Sequence, residues 1–104
     1  MLRRSVSVLM KPTRIEILSK PDCCLCDQAL FQVNRLIDNI KLLNPDKKFI
    51  VEKIDISRNP DLNDEFSLSI PVIRLNGNEI VSESVIDIPK LRNKLLYSDD
   101  TQNL

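Results

Sequence analysis

The spacing of apolar positions changes several times along the chain, and each change marks an element. Residues 14–19 (RIEILS) set Ile15 and Ile17 against Glu16 and Leu18, the two-residue period of a short strand. Pro21 stops that strand and starts a turn. From Cys26 onward, Ala29, Leu30, Val33, Leu36, Ile37, Ile40 and Leu43 fall on one helix face. Asn44-Pro45 ends this helix, because proline cannot continue it. Residues 48–56 (KFIVEKIDI) are rich in β-branched side chains and predict a second strand.

Asn59-Pro60-Asp61 reads as an N-cap followed by proline at the first helical position, which predicts a brief helix over residues 60–66. Residues 70–75 (IPVIRL) predict a third strand and residues 79–82 a fourth. Asn76-Gly77-Asn78 between them is a hairpin signal that uses the single glycine of the chain. Asp87 caps a last helix whose buried stripe is Ile88, Leu91, Leu95 and Leu96. The polar tail from Ser98 is expected to be disordered. The order is β-α-β-α-β-β-α, an α/β fold. A parallel pair joined by a crossover helix and followed by a hairpin makes a four-stranded mixed sheet flanked by helices.

Composition narrows the function. The 104 residues make one domain, and the formal net charge of zero gives no general attraction to nucleic acid. Phe31, Phe49, Phe66 and Tyr97 are the only aromatics, too few for a base-stacking platform. There is no histidine, which removes Cys–His and Ser–His–Asp catalysis and any imidazole metal site. No apolar run approaches the roughly 18 residues that span a bilayer. Residues 1–13 carry Arg3, Arg4 and Lys11 with Ser5 and Ser7, and no acid precedes Glu16. Such a segment reads either as a mitochondrial targeting sequence or as an unstructured basic tail. The domain proper is expected over residues 14–97, with residues 98–104 as the tail.

The remaining chemistry is concentrated in Cys23, Cys24 and Cys26, and the 78 positions after them hold no further cysteine. Such a cluster is not the framework of a secreted disulfide fold, so an intracellular protein of the cytoplasm or mitochondrial matrix is expected. Cys23 and Cys26 form a Cys-x-x-Cys pair between a strand and a helix, the setting a redox pair requires. A helix start there places Cys23 near orphan N–H groups and the positive end of the helix dipole, which favours thiolate. Four-ligand zinc lacks a second cysteine pair, so no metal site is expected.

Element order, the cysteine placement and Ile70-Pro71-Val72 together resemble the glutaredoxins of the thioredoxin superfamily. Leu18-Ser19-Lys20 leading to Cys23 looks like the glutaredoxin approach to its active site. Cys23-x-Leu25-Cys26-Asp27, Asp55-Ile56 and Asn59-Pro60-Asp61-Leu62 look like short glutaredoxin-like proteins of bacteria and fungi. The resemblance covers residues 14–96 and implies the thioredoxin/glutaredoxin fold. It implies a cis Pro71 packed against the cysteines, with Ile70 presenting backbone to an extended substrate. It also implies that Lys20 lowers the thiol pKa and attracts the carboxylate of a thiol peptide. Cys23 is then the nucleophile of a thiol–disulfide oxidoreductase and the more buried Cys26 its resolving thiol. Cys24 is either an accessory resolving thiol or a passenger.

The chain departs from the glutaredoxin pattern where a Gly-Gly pair is usual, since it has Val81-Ser82-Glu83-Ser84 there. Side chains replace the close approach that glycine permits, and an inward Glu83 would repel a carboxylate. No tightly bound cofactor is expected; glutathione is the reductant the resemblance implies, while these departures oppose its binding. Disulfide-containing proteins or small thiols are the expected partners, with no nucleic acid and no membrane, for a monomer. Two other readings remain: a dimer bridging a metal or iron–sulfur cluster through the first cysteine, and a redox-silent binding module. Asp22, Asp27 and Asp55 read as a turn former, a first-turn helix residue and a strand-end residue. The Lys47-Lys48 and Asp99-Asp100 pairs read as solvated.

Overall fold

A computed structural model of the protein describes residues 12–102, with side chains as far as Tyr97. The expected basic leader lies outside these residues except for Pro12 and Thr13. Four strands, β1 (Thr13–Ser19), β2 (Phe49–Asp55), β3 (Val72–Leu75) and β4 (Glu79–Glu83), form one sheet in the order β2-β1-β3-β4. β1 pairs parallel with β2 and antiparallel with β3, and β3 pairs antiparallel with β4. The helices are α1 (Cys24–Leu43), α2 (Pro60–Phe66) and α3 (Ile88–Gln102), with a 3-10 turn, Ile56–Arg58, before α2. The four-stranded mixed sheet and the β-α-β-α-β-β-α order are those expected from the sequence.

β1 is central, and this changes how its pattern reads. Ile15, Glu16, Ile17, Leu18 and Ser19 are all buried, so the alternation separates two covered faces rather than core from solvent. Ile15 and Ile17 join Val33, Leu36, Ile73 and Leu91 under α1 and α3. Leu18 points to the other face and packs with Ile56, Phe66 and Val72 beneath α2. Glu16 shares that second face and is buried as a charge. Arg74 on β3 answers it, with Nε to Oε1 at 2.7 Å, and Arg14 adds a contact at 3.6 Å.

The element ends follow local chemistry. α1 begins at Cys24, two residues before the expected start, because Cys23 caps it. β2 stops at Asp55, whose carboxylate accepts the Ser57 N–H at 2.9 Å and opens the 3-10 turn at Ile56. Asn59 caps α2 by accepting from the N–H groups of Asp61 and Leu62. β3 begins at Val72, not at Ile70, because the Ile70–Pro71 peptide is cis and proline has no N–H for a ladder.

In the hairpin, Asn76 (φ 52°) and Gly77 (φ 82°) both adopt left-handed backbone, and the Asn78 N–H donates to the Leu75 carbonyl at 3.1 Å. Asp87 caps α3 through the Lys90 N–H at 3.0 Å, and Leu91 and Leu95 form its buried stripe. The helix runs on to Gln102, past Ser98, where a disordered tail was expected. No proline or glycine stands between Leu91 and Gln102 to stop it.

Removal of the partner of a buried charge costs about 3–5 kcal/mol. Arg74→Met is therefore expected to lower stability by about 3 kcal/mol, read from the urea midpoint. Glu16→Leu combined with Arg74→Met is expected to recover much of that loss. A loss in the double variant equal to the sum of the Arg74→Met and Glu16→Leu losses would show that the pair is not coupled.

Candidate active site

The site is built where β1 leaves the sheet. The Ser19 hydroxyl donates to the Ile54 carbonyl at 3.3 Å and ties the end of β1 to β2. Lys20 and Pro21 carry the chain off the edge, and Asp22 reverses it in left-handed backbone at φ 61°, a conformation that aspartate tolerates better than most residues. Cys23 follows in extended conformation as the N-cap of α1. Its sulfur accepts the Cys26 N–H at 3.1 Å, and its carbonyl accepts the Asp27 N–H at 3.1 Å. A sulfur thus occupies the role usually filled by a serine or aspartate oxygen.

Cys23 and Cys26 are disulfide-bonded, with 5.2 Å between their Cα atoms. Cys26 is fully buried, whereas Cys23 is half-buried and accessible. Cys24 is exposed and free of any disulfide. The 20-residue α1 directs its positive end at Cys23. A thiolate on Cys23 would have the Cys26 amide and the helix dipole to stabilise it, the two features that depress a thiol pKa.

The pairing of Leu18 with Val72 brings the preceding residue, Pro71, across from Ser19, beside the cysteine loop. Pro71 is fully buried and its peptide with Ile70 is cis. Ile70 is half-buried against the Leu18–Ile56–Phe66–Val72 cluster. Of the sequence-predicted residues, Cys23, Cys26, Ile70 and Pro71 are therefore brought to one end of the sheet. Lys20 is half-buried nearby and lines a hollow of about 220 Å³ with Ser19, Pro21, Lys53 and Asp55. Lys53 in turn bonds Asp27 at 2.7 Å, clamping β2 to the first turn of α1.

Ser84 is the residue that sequence reasoning missed. It ends the glycine-free stretch Val81-Ser82-Glu83-Ser84, and it takes the left-handed, glycine-like φ of 65°. Its N–H is shared between the Ser69 carbonyl at 2.7 Å and the Pro71 carbonyl at 3.0 Å. Its hydroxyl donates to the Ser69 carbonyl at 3.2 Å. The Val85 N–H is also used internally, on the Glu83 carbonyl. This corner therefore locks the cis-proline loop in place. The sequence offered no direct signal for this role, since a serine in left-handed backbone is unusual and its partners come from a separate loop. Glu83 is exposed rather than turned into the core.

Among the described residues, no group of three or more His, Cys, Asp or Glu stands where it could hold a metal ion. None of their helices is long and apolar enough to cross a membrane.

A mixed four-stranded sheet with a bonded cysteine pair capping its first helix and a cis-proline alongside defines a thioredoxin-fold protein of redox type. Residues 14–96 match the model of the Glutaredoxin-like domain (DUF836), and the chain belongs to that family. Among solved structures, an X. campestris structural-genomics protein is 21% identical with a TM-score of 0.58, over 83% of this chain and 96% of its own. A Nitrosomonas europaea protein solved by NMR is 19% identical with a TM-score of 0.55, over 79% of this chain and 89% of its own. Thioredoxin 1 from Thermosipho africanus is 17% identical with a TM-score of 0.56, over 88% of this chain and 99% of its own. At these identities the likeness shows the fold. No curated protein matches the chain significantly.

Asp55 lines the hollow beside Lys20. Hydrogen bonds from Ser57, the hydroxyl first and then the N–H, hold the Asp55 carboxyl below the usual aspartate range. A depressed folded pKa adds stability at pH above the ordinary aspartate value, which is lost as pH falls through the folded value. Ser57→Ala is expected to move the Asp55 titration up toward that ordinary value, measured by carboxyl NMR. An unchanged midpoint would assign the shift to another cause.

Proposed function

We propose that the protein is a thiol–disulfide oxidoreductase in which Cys23 attacks and Cys26 resolves. The observation that carries this is the asymmetry of the bonded pair. One sulfur is accessible and accepts an amide at a helix N-terminus, while the other is wholly buried behind it. In the reduced protein the Cys23 thiolate attacks one sulfur of a substrate disulfide, forming a mixed disulfide and releasing the first substrate thiolate. Cys26 then gives up its proton and attacks the Cys23 sulfur, releasing the second substrate thiolate. Two electrons and two protons have passed to the substrate, which leaves as two thiols, and the Cys23–Cys26 disulfide remains. An external thiol or dithiol returns it to the reduced form by the same exchange in reverse.

The surroundings favour a polypeptide substrate. Leu25 is 60% exposed, Leu68 96% and Val85 79%. They sit on the cysteine helix, the loop before Pro71 and the corner after β4, and Ser84 bonds the latter two loops together. Ile70, next to the cis bond, makes no backbone hydrogen bond among the loop contacts of the described residues. Its peptide is free to pair with an extended chain. Lys20 supplies a cation beside the cysteine loop for a substrate carboxylate. Glutathione, by contrast, meets an acidic Glu83 and a corner whose amides at 84 and 85 are already bonded. It serves in this reading as a reductant without a fitted pocket. Cys24 is exposed on the first turn and takes no part in the exchange.

Cys23→Ser is expected to abolish disulfide reduction. Cys26→Ser should retain the first step and accumulate a mixed disulfide visible by mass spectrometry, and Cys24→Ser should keep nearly full activity. In the reduced protein, alkylation of Cys23 should show a midpoint well below the roughly 8.5 of an ordinary thiol. Activity surviving Cys23→Ser, or an ordinary midpoint at Cys23, would refute the mechanism and favour a redox-silent binding domain.

A further inference from the structure

A second feature lies along α1, away from the disulfide. Gln28, Phe31, Gln32, Arg35, Leu36 and Asn39 are spaced as one helical stripe and form a wall of a trough of about 430 Å³. Ile88 and Arg92 of α3 form the opposite wall. The stripe spans twelve residues, about 16 Å or three turns of helix. Leu36 is buried and Ile88 half-buried, which gives the trough an apolar floor. Phe31 is 62% exposed at its rim, with the Arg35 guanidinium 5.8 Å from the ring centroid.

Charge distinguishes this trough. It is lined by two arginines and no carboxylate. Neither Arg35 nor Arg92 has an ion pair among the described residues, which holds also for Lys20, Lys41, Lys47, Lys48 and Lys90; what sets the trough apart is that its two cations flank an apolar floor. In a chain of zero formal net charge, this is local unneutralised positive charge set beside exposed apolar surface. An open trough of this length does not enclose a small ligand, which is normally buried over most of its surface. It fits a polymer segment.

We propose that the α1–α3 trough is the docking site for an acidic amphipathic helix of a partner protein. Apolar side chains of that helix lie on Leu36, Ile88 and the Phe31 ring, and its carboxylates meet Arg35 and Arg92. The glutamines and Asn39 offer neutral hydrogen bonds to the remaining polar positions. The trough begins within one turn of Cys26, so a partner held there lies alongside the cysteine end of the molecule. The docking itself does not depend on redox activity.

The test uses the full chain, labelled with nitrogen-15, and a synthetic helical peptide with a leucine seam flanked by glutamates. A control peptide has glutamine at every glutamate. The acidic peptide is expected to shift the resonances of Phe31, Arg35 and Arg92 and to bind more weakly as salt rises. Arg35→Glu with Arg92→Glu, or the milder Arg35→Gln with Arg92→Gln, should weaken binding about tenfold or more with far-UV circular dichroism unchanged. No shift at millimolar peptide would overturn the proposal, as would equal binding of the glutamine peptide or of the folded variants. The same shifts produced by succinate alone would reduce the trough to a small-anion site. Sedimentation showing the trough covered in a dimer would assign it to self-association instead.

Discussion

The double pairing of β1 is the constraint from which the cysteine site follows. A strand hydrogen-bonded on both edges and buried on both faces has no freedom of register, because a one-residue slip would move Ile15 and Ile17 out of one core and Glu16 into it. With that register fixed, Leu18 must face Val72, and the residue before Val72 must lie next to the point where β1 leaves the sheet. Cysteine loop and cis-proline are thus neighbours because of sheet registry, although 45 or more residues separate them in sequence. Asp22 then turns the chain so that the next residue caps α1.

Much of this was legible in the residues. Helical spacing from Ala29 to Ile40, the Asn59-Pro60 cap and the Asn76-Gly77 turn each announce their element through local physics. What local pattern does not carry is the second covered face. Glu16 in an alternating strand reads as a solvent position, and only the three-dimensional approach of Arg74, 58 residues away, explains its burial. The same limit applies at the site. Cys-x-x-Cys and Ile-Pro-Val could be read directly, whereas the role of Ser84 depends on carbonyls from a loop 13 to 15 residues earlier. The cis state of Pro71 could be expected from family resemblance alone, since nothing in the tripeptide enforces it.

Polar groups at the two ends of the sheet do different work. Toward the hairpin, Asn76 accepts from the Arg14 N–H at 3.0 Å and donates its own N–H to the Arg14 carbonyl at 2.9 Å, fastening the turn to the central strand. Toward the cysteines, Ser19, Asp55 and Ser84 bond mainly to nearby backbone or to one another's loops. Their bonds shape the loops, on which the exposed Leu25, Leu68 and Val85 are apolar. Such an arrangement ties the cysteine end of the sheet together while leaving exposed apolar surface on its loops.

The serine at position 84 makes that choice explicit. Glycine at a left-handed corner exposes backbone and allows a ligand to approach the amides closely. Serine at the same φ adds a hydroxyl that bonds Ser69, and its amide is already directed at Ser69 and Pro71. The corner thereby gains a side-chain tie, and its amides at 84 and 85 are already bonded within the protein. Exposed Glu83 beside it makes the approach of a carboxylate less favourable still. If the proposed exchange takes a polypeptide, the closed corner supplies the physical reason: binding then rests on exposed apolar surface around the cysteine loop rather than on free backbone donors.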